Sequence, residues 1–294
     1  MILSAGLLKR EIRLFEGINI LSKVNSSNFF NKTLVMGILN VTPDSFSDGS
    51  QYLDKGRAID HALEMVDHGA DIIDIGGESS RPGSMSVTIE EELRRTIPVI
   101  KELSKRINIP ISIDTCKASV AEAAIDAGAA IINDISGLRF DPLMAQIVAS
   151  KNTPVILMHI NGTPKDMQVA PFYTDLIGEI IEYLSQSIDI ALRAGVSEDM
   201  IIIDPGIGFG KTYQHNIEII KNLNRFKILG KPILIGVSRK AFIGQILEGA
   251  PVTDRLIGSV VTALSCVAAG ANILRVHDVR ETVQGLKILR AFCN

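Results

Sequence analysis

The feature that most constrains this chain is a short apolar run that recurs eight times and each time ends on a polar residue or a glycine. The clearest example, Ile201–Ile203, ends on Asp204 and is followed by a glycine-rich segment at 205–210. Continuous apolar runs of this length, separated by helical patterns, predict strands that are buried on both faces of a parallel sheet. The predicted strands lie at 33–39, 71–75, 110–114, 130–134, 154–158, 201–204, 232–236 and 272–276.

Helical patterns alternate with the predicted strands. The segment 89–106 begins with acidic residues and ends with Lys105 and Arg106, which is the charge order that the helix dipole favours. The other predicted helices lie at 55–68, 117–127, 142–150, 174–194, 256–269 and 279–292, with two more beginning near Thr212 and after Ser238 as an N-cap.

Eight strand–helix units predict an α/β fold, a single (β/α)8 TIM barrel with parallel strands. The barrel domain would occupy residues 33–294, after an N-terminal extension at residues 1–32. An open, doubly wound sheet is the alternative, but no GxGxxG motif follows the first predicted strand.

Charge and cysteine content exclude several classes of protein. A net charge of −3 gives no electrostatic basis for binding nucleic acid. Cys116, Cys266 and Cys293 do not have metal-site spacing, and their odd number favours reduced thiols and a cytoplasmic location. The uncharged segment from Leu256 to Leu274 has too many small and polar residues for a membrane span, so we expect no membrane association.

The polar residues that end the strands are the first candidate site residues, because the carboxyl ends of barrel strands all lie at one face. Asp114, Asn133 and Asp204 together suit a flat heterocycle with an amidine-like edge, since a carboxylate accepts two parallel N–H bonds. Asp74 and Asp134 are followed by apolar residues, and we expect them to cap loops rather than to touch a ligand.

A second group of residues suits a phosphate or diphosphate. Arg275 and His277 alternate along one predicted strand and therefore share a face. Arg81 lies in a glycine-rich loop, where a solvated surface charge is the simpler interpretation. Asn40 ends the first strand and offers an amide oxygen of the kind that binds Mg²⁺ beside phosphate oxygens. The 206–210 segment is a weak candidate for a phosphate-binding loop, because it has no Walker spacing.

Eight motifs resemble those of the dihydropteroate synthase family, and the resemblance runs from Leu34 to Arg290. The motifs are MGILNVTPDSFSDG (36–49), DIGGESSRPG (74–83), SIDT (112–115), INDISG (132–137), MHINGTP (158–164), IDPGIGFGK (203–211), GVSRKAFIG (236–244) and RVHDV (275–279). The length of the first motif alone makes a chance match negligible.

The resemblance implies a TIM barrel that joins 6-hydroxymethyl-7,8-dihydropterin diphosphate to 4-aminobenzoate and releases diphosphate and 7,8-dihydropteroate. These two small molecules would be its substrates, Mg²⁺ its cofactor and a homodimer formed by late helices its assembly. Because diphosphate leaves well once its charge is neutralised, we expect a dissociative, SN1-like substitution that depends on electrostatics and positioning.

The resemblance also implies roles for individual residues. Those assigned to the pterin are Asp114, Asn133, Asp204, Lys240 and Phe209. Those assigned to the diphosphate are Arg81, Arg275 and His277, with Asn40 holding Mg²⁺. Those assigned to aminobenzoate are Phe46, Asp48, Ser80, Arg81, Pro82 and Ala241. Arg81, Asp114 and Lys240 are the predicted catalytic residues.

The chain departs from the family pattern at two positions. Ser80 stands where threonine is frequent, which keeps the hydroxyl. Ala241 stands where serine is common, which removes a hydroxyl near the expected aminobenzoate carboxylate. With Ser238 as N-cap, residues 239–241 would form a first helical turn whose N–H groups bind that carboxylate instead.

Two other functions remain open on the same barrel. A pterin-binding methyltransferase would keep Asp114, Asn133 and Asp204 but would not need the two long loops or the Arg275–His277 pair. A non-catalytic pterin binder is the other alternative. The intact loop motifs at 40–49 and 80–83 argue against both.

Overall fold

The structure, a computed structural model, describes residues 33–42 and 51–293. The predicted extension at 1–32 and two of the predicted aminobenzoate residues, Phe46 and Asp48, lie outside this range.

Strands and helices alternate through the described part of the chain, as the sequence predicts. The strands are β1 (Leu34–Asn40), β2 (Ile72–Gly76), β3 (Ile111–Asp114), β4 (Ile131–Asp134), β5 (Val155–Met158), β6 (Ile201–Asp204), β7 (Leu234–Ile235) and β8 (Ile273–Val276). The helices are α1 (Gln51–Asp67), α2 (Ile89–Arg106), α3 (Ala118–Ala127), α4 (Met144–Ser150), α5 (Leu176–Arg193), α6 (Tyr213–Lys221), α7 (Ala241–Ile246), α8 (Leu256–Ala269) and α9 (Val279–Cys293).

The eight strands form one parallel sheet that closes on itself. Their spatial order is β6-β5-β4-β3-β2-β1-β8-β7, and all neighbours in this order are parallel. A parallel bridge between Ile203 in β6 and Ile233 beside β7 joins the two ends of this order. The predicted TIM barrel is therefore confirmed, and the alternative of an open doubly wound sheet is wrong.

Side chains inside the barrel form an apolar layer at its base. One member comes from nearly every strand, since alternate residues of a strand point to opposite faces. The layer consists of Leu34, Met36, Ile72, Ile131, Ile156, Ile202, Leu234 and Ile273. The other residues of each strand face the helices and join the larger core, where Phe226 and Ile100 are fully buried.

Predicted boundaries are close to the observed ones except around β7. The prediction placed this strand at 232–236, but only Leu234–Ile235 is a strand. Pro232 has no N–H to donate to a neighbouring strand, which shortens the regular pairing. Ile233 still takes part in the closing bridge, so the barrel does not depend on the longer strand.

The helix after β7 begins later than predicted. Ser238 is not its N-cap, because the helix starts at Ala241 with Lys240 as the N-cap residue. Arg239 has a φ of 58°, which lies outside the helical region. The Ser238 hydroxyl instead accepts a hydrogen bond from the backbone N–H of His277 at 3.2 Å. The predicted first turn at residues 239–241 is therefore wrong.

The uncharged segment from Leu256 to Leu274 forms α8 and the start of β8, and α8 ends at Gly270 in the left-handed conformation. Within residues 33–42 and 51–293, no helix has both the length and the apolar character needed to cross a membrane.

The apolar layer generates a stability prediction. Ile156→Ala removes a fully buried side chain from the closed interior of the barrel, so the free energy of unfolding should fall by about 2–4 kcal/mol. Ile228→Ala is a matched control, because this isoleucine is 78% exposed and its loss should change stability by less than about 0.5 kcal/mol. Urea unfolding of both variants measures this difference. Equal losses in the free energy of unfolding would contradict the stabilising role of the apolar layer.

Candidate active site

The candidate site lies one layer above the apolar base, at the carboxyl ends of the strands. Residues i and i+2 of a strand share a face, so the residue two positions after an isoleucine of the apolar layer also points into the barrel. In four strands that residue is polar. This step leads from Ile72 to Asp74, from Ile131 to Asn133, from Ile202 to Asp204 and from Ile273 to Arg275. In β3 the corresponding inward residue is Asp114, which is in register with Gly76 and Asn133.

Arg275 bridges two carboxylates inside the barrel. Its Nε donates to Asp74 Oδ2 at 2.6 Å, and its Nη2 donates to Asp114 Oδ2 at 2.6 Å. Asn133 Nδ2 donates to the same Asp74 oxygen at 3.2 Å. One guanidinium group therefore connects β8, β2 and β3, and Asp74 adds β4 through Asn133.

This arrangement sets the protonation of the cluster. Burial raises the pKa of Asp114 to about 7; the Arg275 charge opposes that rise, and the Asp74 carboxylate adds to it. Although burial lowers it, the two aspartates raise the pKa of Arg275 further above its ordinary value. Asp114 is therefore a carboxyl group that titrates near neutral pH, beside a guanidinium that keeps its charge.

The two aspartates that were expected to cap loops behave differently. Asp134 follows the inward-facing Asn133, so its position in β4 faces away from the barrel interior. Its carboxylate accepts hydrogen bonds from the backbone N–H groups of Ser136 and Leu138, each at 2.8 Å. It is a loop cap, as predicted. Asp74 points inward and binds Arg275 and Asn133, so the expectation that it caps a loop is wrong.

Asp204 and Lys240 form the opposite side of the site. Asp204 is buried, and its Oδ1 accepts from the backbone N–H of Gly206 at 2.7 Å. Burial raises its pKa, whereas the Gly206 N–H and the charge of Lys240 lower it. Burial in turn lowers the pKa of Lys240 to about 8 against the attraction of Asp204. The Lys240 ammonium donates to the carbonyl of Ile207 and lies 4.4 Å from the centroid of the Phe209 ring.

The glycine-rich segment at 205–210 packs directly on the backbone that follows β5. Gly206 has a φ of 72°, and a Cβ there would lie 1.9 Å from the carbonyl oxygen of His159. A Cβ at Gly210 would lie 2.5 Å from the carbonyl oxygen of Asn161. Only glycine permits this approach. The close packing fixes Phe209 between these two glycines.

The weak prediction of a phosphate-binding loop remains a prediction, although three N–H groups of this segment already have partners within the protein. The N–H of Gly206 donates to Asp204, and that of Gly208 donates to Asn216 Oδ1 at 2.7 Å. The N–H of Phe209 donates to the carbonyl of Gly206 at 3.1 Å. These three N–H groups support the Asp204 side of the site and are not available to an anion.

A buried Lys211–His159 pair, which was not predicted from the sequence, lies behind this segment. Lys211 Nζ lies 2.8 Å from His159 Nδ1 and donates to the carbonyl of Phe209 at 2.9 Å. Burial and the Lys211 charge lower the pKa of His159 to about 2. Both residues belong to quoted motifs, and a lysine next to a glycine-rich segment was the available signal.

The three residues predicted to bind diphosphate lie near one another at the mouth of the barrel. His277 Nδ1 lies 3.1 Å from Ser238 Oγ. Burial, the Arg275 charge and, more weakly, the Arg81 charge lower the pKa of His277 to about 4. Arg81 is therefore within electrostatic range of His277, although its own side chain is exposed. Its role as a ligand remains a prediction.

Ser80, Arg81 and Pro82 lie on the Arg81 loop, which we define as residues 77–88 between β2 and α2. The backbone N–H of Gly83 donates to the carbonyl of Pro164 at 2.9 Å, so the loop touches the segment that follows β5. Ala241 is exposed at the start of α7, a helix of 6 residues. The contacts of these residues with aminobenzoate remain predictions.

Asn40 lies at the rim beside Asp114. A Cβ at Gly76 would be 3.7 Å from both Asn40 Oδ1 and Asp114 Oδ2, so the two oxygens flank that glycine. Among the residues that the structure describes, no group of three or more histidine, cysteine, aspartate or glutamate side chains is arranged to hold a metal ion. A cation at Asn40 would therefore need further oxygen ligands from a bound molecule or from water.

The comparisons with known proteins all point to one family. The family described as pterin binding enzyme matches residues 36–277. The chain is 49% identical to a dihydropteroate synthase of Synechocystis sp. over 88% of this chain and 90% of that protein. It is 47% identical to a dihydropteroate synthase of Bacillus subtilis over 93% of each chain.

Solved structures give the same result. The dihydropteroate synthase of Xanthomonas albilineans with 4-aminobenzoic acid has a TM-score of 0.85 and 44% identity, covering 90% of this chain and 94% of that one. The same enzyme in complex with 7,8-dihydropteroate has a TM-score of 0.81 and 40% identity, covering 90% and 95%. The Yersinia pestis enzyme in a sulfonamide drug complex has a TM-score of 0.85 and 43% identity, covering 90% and 95%.

The contact at Gly206 generates a prediction with an internal control. Gly206→Ala must place a Cβ against the His159 carbonyl, and we expect it to lower the free energy of unfolding by about 3 kcal/mol or more. Gly230 has a similar φ of 64°, but a Cβ there meets nothing within 4 Å. Gly230→Ala should therefore cost only about 1–2 kcal/mol, the backbone strain alone. Urea unfolding separates the two effects, and equal costs would show that the close approach is unimportant.

Proposed function

Since this chain belongs to the family of pterin-binding enzymes and is a dihydropteroate synthase, we propose that the layer above its apolar base binds the pterin and stabilises the departure of diphosphate. The observation that carries this assignment is the convergence of Asp114, Asn133 and Asp204 on one inward layer. The substrates are 6-hydroxymethyl-7,8-dihydropterin diphosphate and 4-aminobenzoate, the second of which is bound in the Xanthomonas albilineans relative.

The pterin lies between the two sides of the site. Asp204 accepts N–H bonds from the amidine-like edge of the ring, because its second carboxylate oxygen is not used by Gly206. Asn133 offers both a donor and an acceptor to the ring. Lys240, which Phe209 and Ile207 hold in place, donates to a ring acceptor. These contacts orient the reacting methylene towards the mouth.

Bond breaking separates diphosphate from the pterin methylene. The C–O bond breaks, its electron pair stays on the diphosphate oxygen, and the positive charge left on the methylene spreads into the pterin ring. Above a pH of about 7, the pKa of Asp114, the ionised carboxylate stabilises this cation. Arg275 and Arg81 stabilise the leaving diphosphate, and His277 donates a hydrogen bond to it.

Bond formation needs no general base. The amine of aminobenzoate is a neutral nucleophile at pH 7, and its nitrogen attacks the methylene carbon. The C–N bond forms, and the proton released from the nitrogen passes to water. The side chains of Ser80 and Pro82 border the amine's approach because they flank Arg81. The site contributes charge stabilisation and orientation in preference to proton transfer.

We include Mg²⁺ as the cofactor, supported by the chemistry of its donors. Asn40 has an amide oxygen at the rim, and Mg²⁺ commonly uses one or two protein oxygens together with phosphate oxygens and water. When bound, the ion neutralises part of the diphosphate charge and so makes diphosphate a better leaving group.

The activity assay follows diphosphate release and dihydropteroate formation from the two substrates. We expect both products with Mg²⁺ and neither after chelation with EDTA, and activity should return when Mg²⁺ is added back. Full activity of the wild-type protein in EDTA would show that Mg²⁺ is not required.

Asp204→Asn should weaken dihydropterin binding by about 2–4 kcal/mol, because a donor would then face donors. Calorimetry with dihydropterin measures this loss. A normal affinity of the Asp204→Asn variant for dihydropterin would show that Asp204 does not bind the pterin.

The protein is also proposed to form a homodimer through its last helices. Large apolar side chains are exposed along one side of α8 and on the adjoining α9. They are Ile257 at 77% exposed, Val261 at 58%, Ile288 at 61% and Phe292 at 84%. Gly285 of α9 packs closely on Leu264 of α8, so the two helices form one surface. Such a contiguous apolar surface is typical of a subunit interface.

Sedimentation at several protein concentrations tests the dimer. Wild-type protein should sediment as a dimer, and Ile257→Asp should shift it to the monomer, because a charge would be buried without a partner. Val169→Asp is the control, since Val169 is 78% exposed on the segment after β5, outside the proposed interface. A wild-type monomer, or a dimer unaffected by Ile257→Asp, would contradict the proposal.

A cytoplasmic location is proposed as well. Cys116 and Cys266 are free thiols, which is usual in a reducing compartment. Fractionation of cells, with the protein traced by activity, should recover it in the cytoplasmic fraction, and recovery in another fraction would overturn this assignment.

A further inference from the structure

Three charged side chains meet at the base of the Arg81 loop, outside the ring of residues described above. Lys117, which follows β3, donates to Glu78 Oε2 and, at 2.5 Å, to Glu92 Oε2. Glu78 is the second residue of the loop, and Glu92 lies in the first turn of α2. One lysine therefore connects the start of the loop to the helix that follows it and to the neighbouring strand.

Glu78 also closes the loop on itself. The same Oε2 atom accepts from the backbone N–H of Val87 at 3.1 Å. Residues 78 and 87 lie near the two ends of the Arg81 loop, so this one carboxylate fixes their separation. Inside the span, Ser84 donates from its Oγ to the carbonyl of Ser79 at 2.5 Å and from its N–H to the carbonyl of Arg81 at 3.0 Å.

The residue before Glu78 is fixed as well. A Cβ at Gly77 would lie 2.7 Å from Thr96 Cγ2 and 3.0 Å from Glu92 Cγ, so the backbone there lies directly on α2. Arg95 Nη1 donates to the carbonyl of Gly77 at 2.9 Å. The base of the loop therefore has little freedom, whereas Arg81, Pro82 and Gly83 at its tip are exposed.

Stability alone does not account for these charges. The Glu92 side chain is 1% exposed, and its Oε1 has no hydrogen-bond partner among the described residues. Removing charged groups from water costs free energy that a single lysine shared by two carboxylates does not fully return. Although burial lowers it, the hydrogen bonds to Glu78 and Glu92 raise the pKa of Lys117, so the lysine remains charged at neutral pH.

We propose that Lys117 and Glu78 are positioning residues for the reaction: they fix the base of the Arg81 loop, so that the guanidinium of Arg81 is presented to the diphosphate at the mouth of the barrel. The inference rests on the role proposed above for Arg81. Neither Lys117 nor Glu78 touches the substrate. They restrict the conformations of the loop that carries Arg81, so that less conformational entropy is lost when Arg81 binds the diphosphate, which raises the rate of the chemical step.

The kinetic test uses Lys117→Met, which keeps the length of the apolar stem and removes the charge. We expect kcat to fall about tenfold or more, whereas the affinity for dihydropterin without diphosphate should change by less than about twofold. Lys151→Met is the matched control. Lys151 also bonds two carboxylates, Glu122 at 3.1 Å and Asp126 at 3.2 Å, but it follows α4 and does not contact the loop. Its loss should leave kcat unchanged.

A double-variant cycle separates positioning from a general structural effect. In an Arg81→Ala background, Lys117→Met should lower kcat by less than about a further twofold, because there is no longer an arginine to position. If Lys117→Met lowers kcat by the same factor with and without Arg81, the inference is overturned, but the role of Arg81 is not. Full kcat in Arg81→Ala alone would overturn the role of Arg81 and the inference with it.

Glu78→Gln guards against a folding defect in Lys117→Met. The glutamine still accepts from Val87, and Lys117 keeps its pair with Glu92. This variant should show the same selective loss of kcat in smaller degree, with an unfolding transition close to that of the wild type. A normal kcat in the folded Glu78→Gln protein would contradict the role of Glu78.

The chain contains no tryptophan, so a single reporter can follow the loop directly. Met85 is 71% exposed on the Arg81 loop, and Met85→Trp places the only indole there. Its fluorescence anisotropy should fall when Lys117→Met is added and should not change when Lys151→Met is added. Equal anisotropy in all three proteins would show that Lys117 does not restrain the loop.

Discussion

The interaction on which the site depends is the bridge that Arg275 makes between Asp74 and Asp114 inside the barrel. A guanidinium in this interior needs carboxylates to offset the loss of water, and each carboxylate needs the guanidinium. The bridge depends on the pairing of β8 with β1, which brings a strand from the end of the chain close to β2 and β3. It leaves Asp114 with a pKa of about 7 and keeps a positive charge at the centre of the mouth. The mechanism proposed for the departure of diphosphate uses both properties.

The support around this bridge is built from backbone contacts as much as from side chains. Gly206 approaches the segment after β5 so closely that no other residue fits, and its N–H holds Asp204. Across the mouth, Gly77 lies directly on α2, and Glu78 ties the Arg81 loop to Lys117. The two sides differ in one respect. On the Asp204 side, close backbone packing and the Gly206 N–H hold the carboxylate itself in place. The Arg81 loop is held only at its base and is exposed at its tip.

Much of the site followed from alternation along the strands. Asp114, Asn133, Asp204 and Arg275 were predicted at strand ends, and they share one inward layer. The same rule applied from Ile72 also places Asp74 inside, so the information needed to avoid the error at Asp74 was present. Ser238 is a different case. A serine before a helical pattern favours an N-cap, but its hydroxyl binds the end of β8, which is distant in sequence.

By itself, the sequence determined the number of strands, their parallel arrangement, the bounds of most helices and the family, because hydrophobic periodicity and long motifs are local properties. Only the tertiary structure decided which charges meet. Arg275 and Asp74 are far apart in sequence, and Lys117 comes from a different strand–helix unit than Glu78 and Glu92. Glu78 has no local feature that distinguishes it from a solvated charge. Ion pairs between distant segments depend on which strands become neighbours when the barrel closes, and no local pattern records that choice.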